Sequence, residues 1–277
     1  MVYIAAITPR GAQGEIDAGA LFELIDFLCS ALKGRAGAIV LFDAAGEYPA
    51  LNPADRSRVL KLAVKRSRVP VVAGVGSATL DLSLDLARAA RDAGAEALLL
   101  PPPYFYPCRQ GEVREFYWQF STQSSGCPVY LEHLPAFTTG LATDTARDLL
   151  ASGQFAGLVD STGEHAAAGL KTISANDRLF VRARCSGEPA VSSAACAAPE
   201  LLVALDSAVT AGDTAAADRL NGRLQQLLDW ADLFPPFAAI RVATSLRRIK
   251  TGPHAIPLSP EQQRRMQEFK EWLTSWK

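Results

Sequence analysis

The chain has only five cysteines in 277 residues, an odd number, widely spaced and never arranged as C-x-x-C. Such spacing offers neither a disulfide framework nor a structural zinc site, and it implies a reducing compartment. Histidine is scarcer still: His133, His165 and His254 show no H-x-x-x-H spacing, so neither a metal nor any other cofactor is expected. Neither charge is in surplus, with 28 Lys plus Arg against 29 Asp plus Glu. That balance leaves no basic field for nucleic acid or an anionic lipid surface. The opening "MVYIAAITPR" has no basic leader, and its short apolar run stops at Pro9. It reads as a first strand, not as a signal peptide or membrane anchor. The expectation is a cytoplasmic protein whose partner is a small molecule or another protein.

What the chain does have is a core: 49% of its residues are hydrophobic and 21% charged, the ordinary globular range. Short apolar runs lie at residues 2–7, 37–42, 69–75, 97–102, 128–133, 156–161, 179–185 and 190–196. Their apolarity is continuous, as parallel strands covered on both faces require. Amphipathic stretches separate them. Asp17 is placed to cap a helix whose Leu21, Leu24, Ile25, Leu28 and Leu32 form one stripe. Asn52 before Pro53 starts a second helix, and Gly94 ends a third. Repeating strand and helix units fit an α/β fold, a (β/α)8 TIM barrel over residues 1–198, with a C-terminal helical domain over residues 199–277. One interval resists this reading. The seventh and eighth runs are separated by little more than "SGEP", whereas a parallel crossover takes a dozen residues or more. Either helix seven is missing or a strand is misplaced.

Ordered motifs along the whole length then resemble one family. "ITPRGAQGEID", "DAAGEYPAL", "VVAGVG", "GAEALLLPPPYF", "PVYLEHLP", "GLVDSTG" and "AVTAGDTAAADRL" are similar to segments of the dihydrodipicolinate synthase and N-acetylneuraminate lyase group of class I aldolases. The resemblance implies a barrel with a C-terminal helical extension, commonly a homo-oligomer (dimer or tetramer), that takes a small keto acid or other anionic ligand at the C-terminal ends of its strands. In the family a lysine at the end of strand six condenses with the keto carbonyl. Only an uncharged amine forms that imine, and the matching residue here is Val159. The family's proton-relaying tyrosine matches Glu132, and its two threonines match Ala44 and Ala45. The carboxylate-holding arginine is absent from "PAFTTG", where Phe137 and Thr138 stand, while Gly46, Glu47, Pro135 and Gly163 of the scaffold remain. Lys33, Lys61, Lys65, Lys171, Lys250, Lys270 and Lys277 all read as helical or terminal. Lys171, closest in sequence to Val159, is expected on the helix after strand six.

The set implies a divergent member unable to do imine-based aldol chemistry, a ligand-binding or regulatory barrel. A carbon–carbon lyase or aldolase working on a 2-keto acid without an imine, with Glu132 as acid or base, is the alternative; a degenerating paralogue without any ligand is a third. Glu132 has a plainer reading as a polar filler of the tyrosine's space. It cannot share an ion with His133, because adjacent strand residues face opposite sides. The amides at Ala44 and Ala45 are candidates to hold an anion, and equally candidates for a closed lid. "GVGSAT" imitates a dinucleotide loop but lacks its third glycine; Ser77 or Thr79 as a helix cap explains it better. In "PPPYFYP" the aromatic cluster Tyr104, Phe105 and Tyr106 reads as packing, with Phe105 where the family lends a hydroxyl to a neighbouring subunit.

Overall fold

Eight strands follow one another around a closed parallel barrel: β1 (Val2–Ala5), β2 (Gly37–Leu41), β3 (Val71–Gly74), β4 (Ala97–Leu100), β5 (Val129–His133), β6 (Gly157–Asp160), β7 (Ile173–Ser174) and β8 (Ala190–Ser192), with β8 pairing back to β1. The computed structural model describes residues 1–124 and 126–276. Between the strands lie α1 (Ala18–Ala31), α2 (Pro53–Arg66), α3 (Leu80–Ala93), α4 (Gln110–Gln123), α5 (Thr143–Ala151), α6 (Glu164–Ala167) and α7 (Phe180–Cys185). The chain continues through α8 (Ala194–Ala197), α9 (Pro199–Ala211), α10 (Thr214–Ala231), α11 (Ala238–Ser245) and α12 (Pro260–Ser275). This is a (β/α)8 TIM barrel followed by C-terminal helices.

The caps form where local chemistry puts them. Asp17 Oδ1 accepts the Ala20 N–H at 2.9 Å, Asn52 Oδ1 accepts that of Asp55 at 2.7 Å, and Gly94 closes α3 at φ 88°. Thr79 Oγ1 accepts the Leu82 N–H at 3.4 Å, so "GVGSAT" is a capped βα loop. Two cores result. Outward strand residues such as Ile39, Leu98 and Leu131 pack beneath the helices. Inward ones such as Val40, Leu99 and Val159 fill the barrel axis.

Strand seven is a correction. Residues 179–185 are not a strand: after a 3-10 turn at Asp177–Leu179 they form α7. Phe180 and Ala183, one helical turn apart, are the buried pair. Arg178 reaches Asp229 and Asp232, while Arg184 reaches Asp206, on α10 and α9 and just beyond. The true β7 has two residues, Ile173 pointing inward and Ser174 outward, so it carries no apolar run to read. The helix expected after strand six to carry Lys171 is correspondingly short, ending at Ala167. Lys171 lies exposed just before β7, at the opposite end of the barrel from the strands' C-termini. With β7 moved upstream, α7 supplies the crossover that had seemed missing, and the barrel closes. The eighth strand also stops early, at Ser192, giving way to α8.

One glycine shapes the mouth. A Cβ on Gly74 would sit 2.1 Å from the carbonyl oxygen of Phe42, which no side chain allows. Its absence lets the chain leaving β2 turn tightly against β3 with Phe42 at φ 61°. That turn carries Asp43 and the following 3-10 segment, Ala44–Gly46, over the C-terminal end of the barrel.

Candidate ligand site at the barrel mouth

Val159 and Glu132 are register partners on β6 and β5. Both alternate with outward residues and therefore face the axis. Val159, 4% exposed, joins Val40, Leu99, Tyr130, Ile173 and Val191 around a residual void of only about 20 Å³. The barrel at this level is packed with aliphatic side chains and the rings of Tyr3 and Tyr130. Glu132 is 3% exposed, and neither of its carboxyl oxygens is hydrogen-bonded by any described residue. Burial drives its pKa well above the usual carboxylate range, and the charge of Asp43 pushes it further.

Two more buried carboxyls are electrostatically linked to Glu132, Asp43 directly and Asp177 through Asp43. Asp43 is raised to about 6, first by burial and then by the charge of Asp177, against the pull of the Ala44 N–H that its Oδ1 accepts. Asp177 is raised by burial, in spite of hydrogen bonds from Ser193 and Ala194 that favour its charged form. Its Oδ2 accepts from the Ser193 N–H at 3.1 Å, the Ser193 hydroxyl at 2.9 Å and the Ala194 N–H at 3.0 Å, while its Oδ1 is buried without a partner. The Ala44 amide, a candidate anion holder, is thus occupied by the chain's own carboxylate, and Ala45 is fully buried in the inner cluster.

Aromatic rings surround the opening. Tyr48, on the loop after β2, stacks edge to face on Tyr104 at 5.8 Å. Its phenol is raised by burial and then by the nearby Glu132 charge. Beneath it Arg56, lowered to about 10 by burial, donates to the carbonyls of Gly74 at 2.7 Å and Gly76 at 2.8 Å. The guanidinium lies 4.9 Å from the Tyr48 ring centre. Phe237, at the start of α11, adopts φ 64° and packs on the inner cluster that holds Ala45 and Val159. Phe137, where the resemblance expects an arginine, pairs with it at 6.4 Å. Together with Ala44, Pro49, Leu134 and Ile256 these rings enclose a cavity of about 480 Å³.

The charged groups at its edge are committed. Glu47 binds Arg241 through Oε1 at 2.7 Å and Arg10 and the Ala255 N–H through Oε2, the last at 2.8 Å. The Ile256 N–H donates to His254 Nδ1 at 3.1 Å, and His254 Nε2 lies 3.0 Å from the Pro236 carbonyl. Among the described lysines, Lys33, Lys61, Lys65, Lys171 and Lys250 are exposed and Lys270 is half-buried on α12; Lys277 lies outside the described residues. None of the described lysines lines either the inner void or the 480 Å³ cavity.

A second cluster, which residue spacing did not disclose, lies outside the barrel wall. His133 on β5 and His165 on α6 pack edge to face at 4.4 Å, and ligating atoms of these two and Glu164 lie within 4.8 Å of one another. The neighbouring strands β5 and β6 bring them together; that adjacency was the available signal. The donor pattern does not suit a cation. The Leu141 N–H donates to His133 Nδ1 at 3.0 Å, so the neutral ring carries its proton on Nε2, which lies 3.1 Å from Glu164 Oε1 without being hydrogen-bonded to it. A ligating nitrogen needs that lone pair free and its other N–H pointing at an acceptor. Sequence reasoning also passed over Asp43, Asp177, Tyr48 and Phe237 as contributors to the mouth.

A closed parallel barrel with a cavity over the C-terminal ends of its strands defines the class, a TIM-barrel protein whose candidate site lies at the end of the barrel where sites of this fold are found. The dihydrodipicolinate synthetase family model matches residues 1–275, and the chain belongs to that family. The 4-hydroxy-tetrahydrodipicolinate synthase of Laribacter hongkongensis is 31% identical over 269 residues, covering 92% of this chain and 90% of that protein. Among solved structures, YagE from E. coli K12, a prophage protein of the same family in complex with pyruvate, superposes with a TM-score of 0.87 at 24% identity, over 99% of this chain and 97% of that one. The N-acetylneuraminate lyase of Mycoplasma synoviae does so with a TM-score of 0.85 at 19% identity, over 99% and 96%.

Proposed function

We propose that this chain is a divergent family member that holds a small molecule in its barrel mouth without capturing it as an imine, a binding or regulatory barrel. One observation carries the reading: the position that resembles the Schiff-base lysine is Val159, packed among aliphatic side chains and two tyrosines. Imine formation needs a nucleophilic nitrogen within bonding reach of the carbonyl. The resemblance makes a small keto acid or another anionic compound the first ligand to try. Borohydride reduction of the full chain with pyruvate, followed by intact mass measurement, is expected to leave the mass unchanged. A covalent adduct refutes the proposal.

A second reading is favoured by Glu132, whose carboxyl, pushed by burial toward its protonated form, is a candidate general acid that needs no imine. On that reading the chain is a carbon–carbon lyase or aldolase, and Glu132→Gln abolishes turnover of a keto-acid substrate; unchanged turnover removes Glu132 from the chemistry. Further parts of the proposal rest on separate features. Phe105 and Tyr106, 81% and 72% exposed, support a homo-oligomeric contact through that loop. The cysteines Cys29, Cys108, Cys127, Cys185 and Cys196 are free thiols, and among the described residues no helix is long and apolar enough to cross a membrane; both support a cytoplasmic location. The start of α9 at Pro199 supports a domain boundary between residues 198 and 199.

A further inference from the structure

Resting on that non-covalent reading, we propose that the mouth takes an uncharged aromatic compound bearing a neutral hydroxyl or carbonyl group, in place of a short keto acid.

The lining of the 480 Å³ cavity carries the assignment. Four of its residues are aromatic, Tyr48, Tyr104, Phe137 and Phe237; apart from Glu47 and His254, the remainder are alanine, proline, leucine and isoleucine. The rings already stand in the arrangements that rings prefer, Tyr48 edge-on to Tyr104 at 5.8 Å and Phe137 tilted on Phe237 at 6.4 Å. Phe237 holds its place at φ 64°, a conformation that a bulky residue adopts only where its surroundings impose it. The volume is that of a pocket for a ring-bearing molecule, and pyruvate would leave most of it empty.

Charge points the same way. Both ionisable groups of the lining besides the phenols are committed. Glu47 holds Arg241, Arg10 and the Ala255 N–H. His254 accepts the Ile256 N–H on Nδ1, so its neutral ring donates from Nε2 to the Pro236 carbonyl at 3.0 Å. Among the described residues no lysine or arginine lines the cavity, and Glu47 is the one carboxylate that does. An anionic ligand would therefore enter with no cation to receive it, and burying an unpaired charge is costly. What the lining offers instead is two phenols, whose oxygens no described residue hydrogen-bonds. Burial raises both, so they stay protonated. A phenol donates and accepts, which suits a hydroxyl or carbonyl group that brings no charge. Tyr48 is only 4% exposed; a ring bound over it without such a group would leave its hydroxyl unpaired.

The test is a calorimetric titration of the full chain at neutral pH with 2-naphthalenemethanol, 2-naphthoate and pyruvate. The first two share a ring system and differ in charge; the third has charge and no ring. The alcohol is expected to bind at one site, at least about tenfold more tightly than either acid. Phe137→Arg is expected to invert the order of alcohol and naphthoate, because it puts a guanidinium at the edge of the cavity to receive a carboxylate. Phe137 is 47% exposed, so the replacement is expected to leave the fold intact, which thermal melting checks. No binding of the alcohol, naphthoate binding as tightly as the alcohol, or an order that a folded Phe137→Arg chain leaves unchanged overturns the assignment. Pyruvate binding more tightly than the alcohol overturns it too. The alcohol has no carbonyl and cannot be trapped as an imine. A borohydride adduct with pyruvate therefore marks failure of the imine-free reading, whereas a failed alcohol titration without an adduct marks failure of the aromatic assignment alone.

Discussion

Replacing Glu47 by alanine is expected to cost the fold about 3–5 kcal/mol, the usual consequence of stranding a buried charge. Glu47 is the anion shared by two buried guanidiniums, Arg10 at 7% and Arg241 at 1% exposure. Burial already pulls the pKa of Arg241 down, and Glu47 pushes it back. Arg241 also donates to the carbonyls of Thr8, at 3.0 Å, and Thr251. One carboxylate therefore ties together the loops after β1 and β2, helix α11 and the segment leading to α12. Removing it leaves two cations in the interior with no counter-charge, and reorientation of either breaks a backbone contact. Glu200→Ala is the control. Its partner Arg247 is on the surface, where a pair is worth about 1 kcal/mol or less. Urea unfolding of the three chains decides the matter, and a Glu47→Ala loss no larger than that of Glu200→Ala would show that the trio is not what holds the mouth closed.

The parts of this architecture that were legible in the sequence are those whose causes are local or periodic. β3 and β4, buried at every position, announce themselves as apolar runs because both faces of a parallel barrel strand are covered. Asp17, Asn52 and Gly94 act on backbone groups within a few residues, so their roles can be read without a fold. β7 fails both conditions: two residues, one of them Ser174, make no run. The segment after it buries Phe180 and Ala183, with Arg182 between them and Arg184 after, a helical period that resembles a strand when only its hydrophobic residues are counted. The site divides in the same way. Val159 and Glu132 were accessible because a motif places them at strand ends. Asp43 stood inside a recognised motif but drew no notice, since its effect arises only when closure of the barrel sets it near Glu132 and Asp177. Phe237 reaches the inner cluster from the far end of the chain, a contact no local pattern encodes.

The same three carboxyls give the fold an unusual response to pH. A carboxyl whose folded pKa is raised keeps its proton after the unfolded chain has released its own. The stability it contributes is complete below the unfolded pKa of about 4 and is lost as pH rises through the folded value. For Asp43, raised to about 6, the loss spans about two pH units and amounts to about 3 kcal/mol at 1.4 kcal/mol per unit. Glu132 is raised well above its usual range by burial and then by Asp43, so it loses stability in the same direction as pH rises from its unfolded value. Two groups oppose the trend. His133, lowered by burial and then by His165, is stabilising in its neutral form and gains as pH rises toward its unfolded value. Asp160 would be raised by burial, but the N–H groups of Thr162, Gly163 and His165 hold it low, so it loses stability only in acid. The comparison that isolates the mouth is therefore the difference between the parent chain and Glu132→Gln, in which His133 and Asp160 cancel. That difference is expected to be small near pH 4 and to grow in favour of the variant by about 1.4 kcal/mol per pH unit across the window in which only the folded chain retains the proton. Chemical unfolding at a series of pH values measures it directly. A difference that stays flat, or that grows in favour of the parent, would mean that Glu132 is ionised inside the barrel at no cost, and would require a cationic partner beside it.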